Sequence, residues 1–298
     1  MAMRFSPEQL SDYNDKGFLI VRGVFDSLEL EPLQTALEND PTVGGALYGM
    51  TGDTSSLQHV CFWTDCGDDL VGTIPRVERM ATATTSLLGD ESYHWHSKLV
   101  VKPPGSTRGR WHQDFGSWYD DGVPGPNMLT AGVAVTESTQ QNGCTMVVPY
   151  SHKRGRLNPP QQKGEETVFN ARRDFAIKEH GIVHCELHPG DAVFFHANLL
   201  HASGSNESSR DRVVMFCSYN ARSNAPITNA ASTNEAGAYM NITKAERAYR
   251  PLDVVEDDSI SRGAYRSLYN DTIFKTPKFD LPSNYTRAVA LPTEPTMS

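Results

Sequence analysis

Two rhythms of apolar and polar positions divide the chain. Near the N-terminus the spacing is helical. Ser6 is followed by Pro7 and Glu8, Gln9 completes a capping box, and Gly17 closes the helix that these residues open. Phe18–Val21 then reads as a strand, and Leu28–Glu38 carries apolar residues at near-helical spacing. Arg76–Leu88 predicts a further helix, ended by Gly89. Between these elements, residues 41–70 are rich in Gly, Thr, Ser and Asp and read as one long loop.

From Tyr93 to Tyr219 the rhythm shortens. Apolar runs at His96–Val101, Met128–Val135, Thr145–Val148, Ile182–Leu187, Ala192–Phe195 and Val213–Tyr219 are separated by Gly, Pro, Asn and Asp turns. That pattern predicts an antiparallel sandwich or jelly roll and not a parallel α/β sheet. The stretch after about residue 227 is polar and mixed, with no element legible in it. The expected organisation is one domain over residues 1–298, with a β core at about 93–220 and a C-terminal extension at about 227–298.

Composition narrows the class. A chain of 298 residues can bury a sizeable core without staples. Its net charge of −9 argues against a nucleic-acid partner, which would need lysine and arginine to neutralise phosphates. Five scattered cysteines do not resemble a disulfide framework and read as small apolar fillers. The polar N-terminus has no apolar signal core, and no run approaches the ~18 apolar residues of a membrane helix. A cytoplasmic protein, monomeric or homodimeric, acting on a small molecule away from membranes is expected, and the four Asn-x-Ser/Thr sequons read as chance.

The densest chemistry lies in Arg110-Trp-His-Gln-Asp-Phe115. On a strand, His112 and Asp114 would share a face, so an imidazole and a carboxylate could address one ion. A second histidine from a neighbouring strand would complete a 2-His-1-carboxylate facial triad, which leaves positions open for non-haem iron chemistry. Pro189-Gly-Asp191 leads through an apolar run to His196 and His201, and Arg212 follows eleven residues later. A buried arginine there suits bidentate capture of a carboxylate, with geometry lysine cannot supply. His196, at an odd separation from His201, reads as structural, and His94-Trp-His96 as a same-face pair engaged in packing. Asp120-Asp121 and Lys153-Arg-Gly-Arg156 read as a solvated turn and a solvated basic loop.

In these pieces the sequence resembles the phytanoyl-CoA dioxygenase family of Fe(II)/2-oxoglutarate oxygenases, in particular its ectoine-hydroxylase-like branch. The likeness runs over roughly residues 5–220 and is carried by the motifs Lys98-Leu-Val-Val-Lys-Pro-Pro104, Trp111–Phe115, Asn142-Gly143 to Pro149-Tyr-Ser-His152, Gly190-Asp191 with Phe194-Phe195-His196, and Leu200–Asn206 before Arg212. The resemblance implies a mainly β fold, a double-stranded β-helix (cupin-like jelly roll) with flanking N-terminal helices. It also implies Fe(II), 2-oxoglutarate as cosubstrate, and O2. Position by position it implies metal ligands His112, Asp114 and His201, which carry the catalysis, and cosubstrate contacts at Arg212, Ser203 and Lys98. Trp118 and Phe115 match positions lining the substrate pocket, and Gln113 matches a family residue of open role. Where the family turn has Pro-Gly-Ser-His, this chain has Tyr150.

The implied reaction is hydroxylation of an unactivated C–H of a small polar metabolite, releasing succinate and CO2. Desaturation or ring formation, an acyl-CoA substrate met by Lys102, Arg108 and Arg110, and a natural-product intermediate are alternatives. A zinc hydrolase or a metal-binding jelly-roll module could also use two histidines and an aspartate, and would leave Arg212 and Ser203 unexplained.

Overall fold

The computed structural model describes residues 3–39, 48–52, 56–157, 165–226, 248–263 and 285–287. Helix α1 (Pro7–Lys16) has the expected capping box at Ser6 and Gln9 and ends on Gly17, at φ 84°. It is followed by β1 (Phe18–Val21), α2 (Ser27–Asn39), β2 (Tyr48–Gly52) and β3 (Ser56–Trp63). Next come the short α3 (Leu70–Thr73), α4 (Glu78–Leu88), β4 (Ser92–Lys102), α5 (Asp114–Trp118) and β5 (Met128–Ala134). Strand β6 (Thr145–Val147), α6 (Glu165–His180), β7 (Val183–Cys185), β8 (Ala192–His196), β9 (His201–Ser203), β10 (Arg212–Ala221) and β11 (Tyr285–Arg287) complete the order.

Two antiparallel sheets face one another. The larger has eight strands in the order β1-β8-β5-β10-β4-β3-β2-β11, and the smaller is β7-β6-β9. Among the described residues no ladder closes them into a barrel. The period-2 alternation of the large sheet explains the arrangement. Leu99, Val101, Ala131, Val133, Phe194, Val213, Met215 and Cys217 turn outward against the helices, where Leu30, Leu33, Met80, Leu87 and Leu88 complete one core. The intervening residues Val60, Val100, Ala134, Val193, Phe195, Val214 and Phe216 turn inward and meet Val147 and Cys185 of the small sheet. A third cluster, including Tyr93, Trp95, Phe115, Trp118 and Met128, seals one end of the sandwich.

The fold corrects several expectations. The loop expected over 41–70 contains β2 and β3. Its glycines and threonines mask the run Leu57–Trp63, in which Val60 faces the small sheet and Cys61 and Trp63 face the helices. Helix α6 carries no legible signal in the sequence, because its charges are spread around the whole cylinder and leave no clear apolar stripe. His94 and His96 do not share a face. The ladder slips between Ser218 and Tyr219, Trp95 is the extra residue, and His94 turns to Thr64 O and Ser97 while His96 points inward.

The expected solvated charges are paired. Arg156 joins Asp120 at 2.9 Å and lies over the Tyr119 ring, Lys153 joins Asp15 at 2.8 Å, Arg154 pairs with Glu179, and Asp121 is buried. Tyr150, at φ 64°, is the one non-glycine in the left-handed region among the described residues, at the turn where the family pattern has glycine. Of the sequons, Asn206 is buried and hydrogen-bonded to Lys102 O and Arg210 O, and the others lie outside the described residues. Most of the C-terminal extension lies outside them too. Its part 248–263 is fastened to the helical layer, where Asp253 accepts from Arg76 and Asp257 from Arg79.

Candidate active site

The site is assembled by the small sheet and the ends of β5, β8 and β10. His112 is not on a strand. It forms one antiparallel bridge with His201, each N–H donating to the other's carbonyl at 2.9 Å. Asp114 begins α5, so the two-residue spacing works through a bridge followed by a helical turn and not through strand alternation. Gln113, between them, is buried. It donates to Asn198 O at 2.6 Å and Gly155 O at 3.1 Å and accepts from Leu157 N–H at 2.6 Å. It therefore ties His112 and Asp114 to the loop that delivers His201.

His112, Asp114 and His201 place one ligand atom each within 4.8 Å of the others. Asp114 Oδ1 lies 3.7 Å from His112 Nε2 and 3.8 Å from His201 Nε2. Each imidazole directs its other nitrogen at a backbone carbonyl, His112 Nδ1 at Arg110 O (3.0 Å) and His201 Nδ1 at Leu199 O (2.9 Å). A carbonyl only accepts, so Nδ1 carries the proton and both Nε2 lone pairs face the centre. Thr130 donates to Asp114 Oδ2 at 3.0 Å and bonds Ser218 at 2.9 Å, which fixes the carboxylate plane.

Burial lowers the pKa of both histidines, that of His201 to about 3, which keeps the rings neutral. Burial works against ionisation of Asp114, but attraction from its neighbours, the Lys98 ammonium among them, outweighs it and holds the carboxyl below its usual range. Two neutral imidazoles and one carboxylate, oriented by second partners, fit a divalent iron with open positions.

A second polar group lies further along the same wall. On the inner face of β10, Arg212, Val214, Phe216 and Ser218 stand opposite Lys102, Val100, Lys98 and His96 of β4. Arg212 is 1% exposed, and its Nε and Nη1 are buried with no hydrogen-bond partner among the described residues. A buried guanidinium left this way is costly unless a ligand meets it. Ser203, two residues past His201 on β9, accepts from Lys102 Nζ at 3.1 Å and from Gln58 Nε2 at 3.4 Å. Arg212, Ser203 and Lys102 thus form a polar end fitted to a carboxylate.

Lys102 was expected at a basic entrance with Arg108 and Arg110. It is fully buried, whereas the two arginines are exposed. Its inward position could have been read from the even spacing Lys98, Val100, Lys102 once Arg212 was singled out. Lys98 itself has Nζ 5.3 Å above the Phe216 ring, between the metal cluster and Arg212. Phe115 and Trp118 are buried, and Trp118 meets His96 edge-on at 5.5 Å. His96 Nδ1 is buried without a hydrogen-bond partner among the described residues. His196, as expected, is structural: its Nδ1 accepts from Asn198 N–H at 3.0 Å and its ring lies tilted against His152 at 5.1 Å.

The chain is similar to known proteins. The model of the phytanoyl-CoA dioxygenase family matches residues 13–214. An ectoine dioxygenase of Bordetella bronchiseptica is 28% identical over 83% of this chain and 86% of its own length. The peroxisomal phytanoyl-CoA dioxygenase of Bos taurus is 28% identical over 72% of this chain and 68% of its own. The crystal structure of EctD from S. alaskensis with 2-oxoglutarate and 5-hydroxyectoine superimposes with a TM-score of 0.66 at 27% identity, covering 85% of this chain and 88% of that one. No helix among the described residues is long and apolar enough to cross a membrane. The chain therefore belongs to the phytanoyl-CoA dioxygenase family of iron(II)- and 2-oxoglutarate-dependent dioxygenases.

Proposed function

We propose that the protein hydroxylates an unactivated C–H of a small polar metabolite, with His112, Asp114 and His201 as the iron ligands. The observation that carries this reading is the buried, unpaired edge of Arg212 standing beyond a His–Asp–His cluster on one wall. Bound iron would supply oxygen activation driven by oxidation of the 2-oxo acid to succinate and CO2. The residues of the chain do the remainder. Arg212 and Ser203, with Lys102, would seat the distal carboxylate, and Lys98 would meet the cosubstrate midway along the wall. Thr130 and the Arg110 and Leu199 carbonyls hold the ligands in one orientation, so that oxidation is directed.

Trp118 and Phe115 would line the substrate side. The polar character of the substrate is supported by His96, whose buried Nδ1 meets no hydrogen-bond partner among the described residues. An apolar chain would leave it unsatisfied. Burial of Lys102 also weakens the case for a basic entrance suited to a coenzyme A thioester. The test is 2-oxoglutarate-dependent succinate release with a panel holding ectoine, L-proline and phytanoyl-CoA. Stimulation by a small zwitterion supports the reading, and stimulation by the thioester alone overturns it.

A further inference from the structure

Lys102 is a second buried cation beside Arg212 at the carboxylate end of the site. Its ammonium nitrogen reaches two neutral acceptors, Thr107 O at 2.8 Å and Ser203 Oγ at 3.1 Å, in a side chain with no exposed surface. The groups around it come from every neighbouring element. Arg212 stands opposite on β10, Ser203 on β9 and Gln58 on β3, and the Cys144 thiol before β6 lies near Arg212. Arg212 is the one charged group that acts on it, and no carboxylate pairs with it among the described residues. Burial pushes the Cys144 thiol up to about 11, so it brings no negative charge. His59 and Asp211 influence one another, and His59 alternates with Gln58 along β3, turned from the pocket.

Two cations without a counter-ion in a dry pocket repel one another, and the lysine is the one able to lose its proton. We propose that Lys102 stands neutral beside Arg212 in the empty pocket and takes up a proton when the distal carboxylate of 2-oxoglutarate arrives. No bond is made or broken in this step. One proton passes from solvent to Nζ, and the dianionic cosubstrate meets two cations instead of one. The inference rests on the reading of Arg212 and Ser203 as the carboxylate site. Burial first, and Arg212 second, lower the Lys102 pKa to about 7, which places the change within the working range. Linkage then requires that affinity for the cosubstrate fall as pH rises, because deprotonating Lys102 competes with binding.

The test uses the full chain loaded anaerobically with Fe(II) and titrated with 2-oxoglutarate. Calorimetry in buffers of different ionisation enthalpy counts the protons. From a pKa of about 7, uptake is about 0.9 proton per site at pH 8 and about 0.1 at pH 6. The dissociation constant rises about 25-fold between pH 6.5 and 8.5. Lys102→Arg, which stays charged, binds with little pH dependence and takes up no proton. If the wild-type protein forms the iron–keto acid absorption band with a pH-independent constant and no proton uptake, the inference is wrong and the site reading stands. Proton uptake that persists in Lys102→Arg also refutes it. A protein that never forms the band overturns the site reading and the inference together. Should Lys102→Arg fail to fold, the wild-type proton count decides alone.

Discussion

Thr130→Val removes one hydroxyl and keeps the shape of the side chain. Thr130 Oγ1 donates to Asp114 Oδ2 at 3.0 Å, both groups are buried, and Oδ1 is left facing the two imidazoles. A hydrogen bond to a charged, buried acceptor contributes about 1.5–3 kcal/mol. Without it the carboxylate can rotate, and part of that energy disappears from metal binding. About 1.4 kcal/mol is a factor of ten, so a 10- to 100-fold loss of Fe(II) affinity is expected, the range usual for second partners of metal ligands. The Ser218 hydroxyl also loses its 2.9 Å partner, which adds a folding cost of about 1 kcal/mol. The assay is Fe(II) binding by competition with a chromophoric chelator, with thermal unfolding in parallel. Thr130→Ser keeps the hydroxyl and should restore most of the affinity. If Thr130→Val binds iron within threefold of the wild type while folded, the role of Thr130 in orienting the Asp114 carboxylate for the metal is refuted.

Three further outcomes are expected. Arg212→Gln should weaken 2-oxoglutarate about 100-fold, since a desolvated charge pair is worth about 2–5 kcal/mol, and leave Fe(II) affinity intact; an unchanged cosubstrate constant would remove Arg212 from the site. Gly109→Ala puts a Cβ 2.6 Å from Ser203 Oγ. It should displace the hydroxyl and raise the 2-oxoglutarate requirement several-fold in succinate-release kinetics, so an unchanged requirement would show that Ser203 does not contribute. Asp191 accepts from Arg22, Gly23 N–H and His188 N–H; burial tends to raise its pKa, but these bonds outweigh it and hold the pKa below the usual value. Its stabilisation is therefore complete above the unfolded pKa of about 3.9 and is lost as pH falls through the lowered folded value. Asp191→Asn should cost about 1–3 kcal/mol at pH 7 by denaturant titration, with the gap to wild type closing in acid.

The strands that hold the site were legible because both faces of the large sheet are covered by apolar partners, and a period of two survives in Leu99–Val101 and Val213–Cys217. Three things were hidden by physics that a linear pattern does not carry. The bulge at Trp95 inverts the face of His94 without any glycine to mark it. The 112–114 spacing mimics strand alternation, yet Asp114 opens a helix and Gln113 supplies the tie that holds it. Lys102 looks like a surface cation beside prolines, and only its cross-strand pairing with Arg212 places it inside. Chemical type, by contrast, is carried by the sequence itself, so His112, Asp114, His201 and Arg212 could be singled out as candidate ligands before their geometry was known.

The most direct test of the central claim is an anaerobic visible spectrum of the full chain with Fe(II), before and after 2-oxoglutarate. The account predicts a charge-transfer band from chelation by the keto acid that saturates near one equivalent, and its loss in Asp114→Ala and His201→Ala. Stoichiometric iron binding with no band would contradict it and favour a metal site that never meets the cosubstrate.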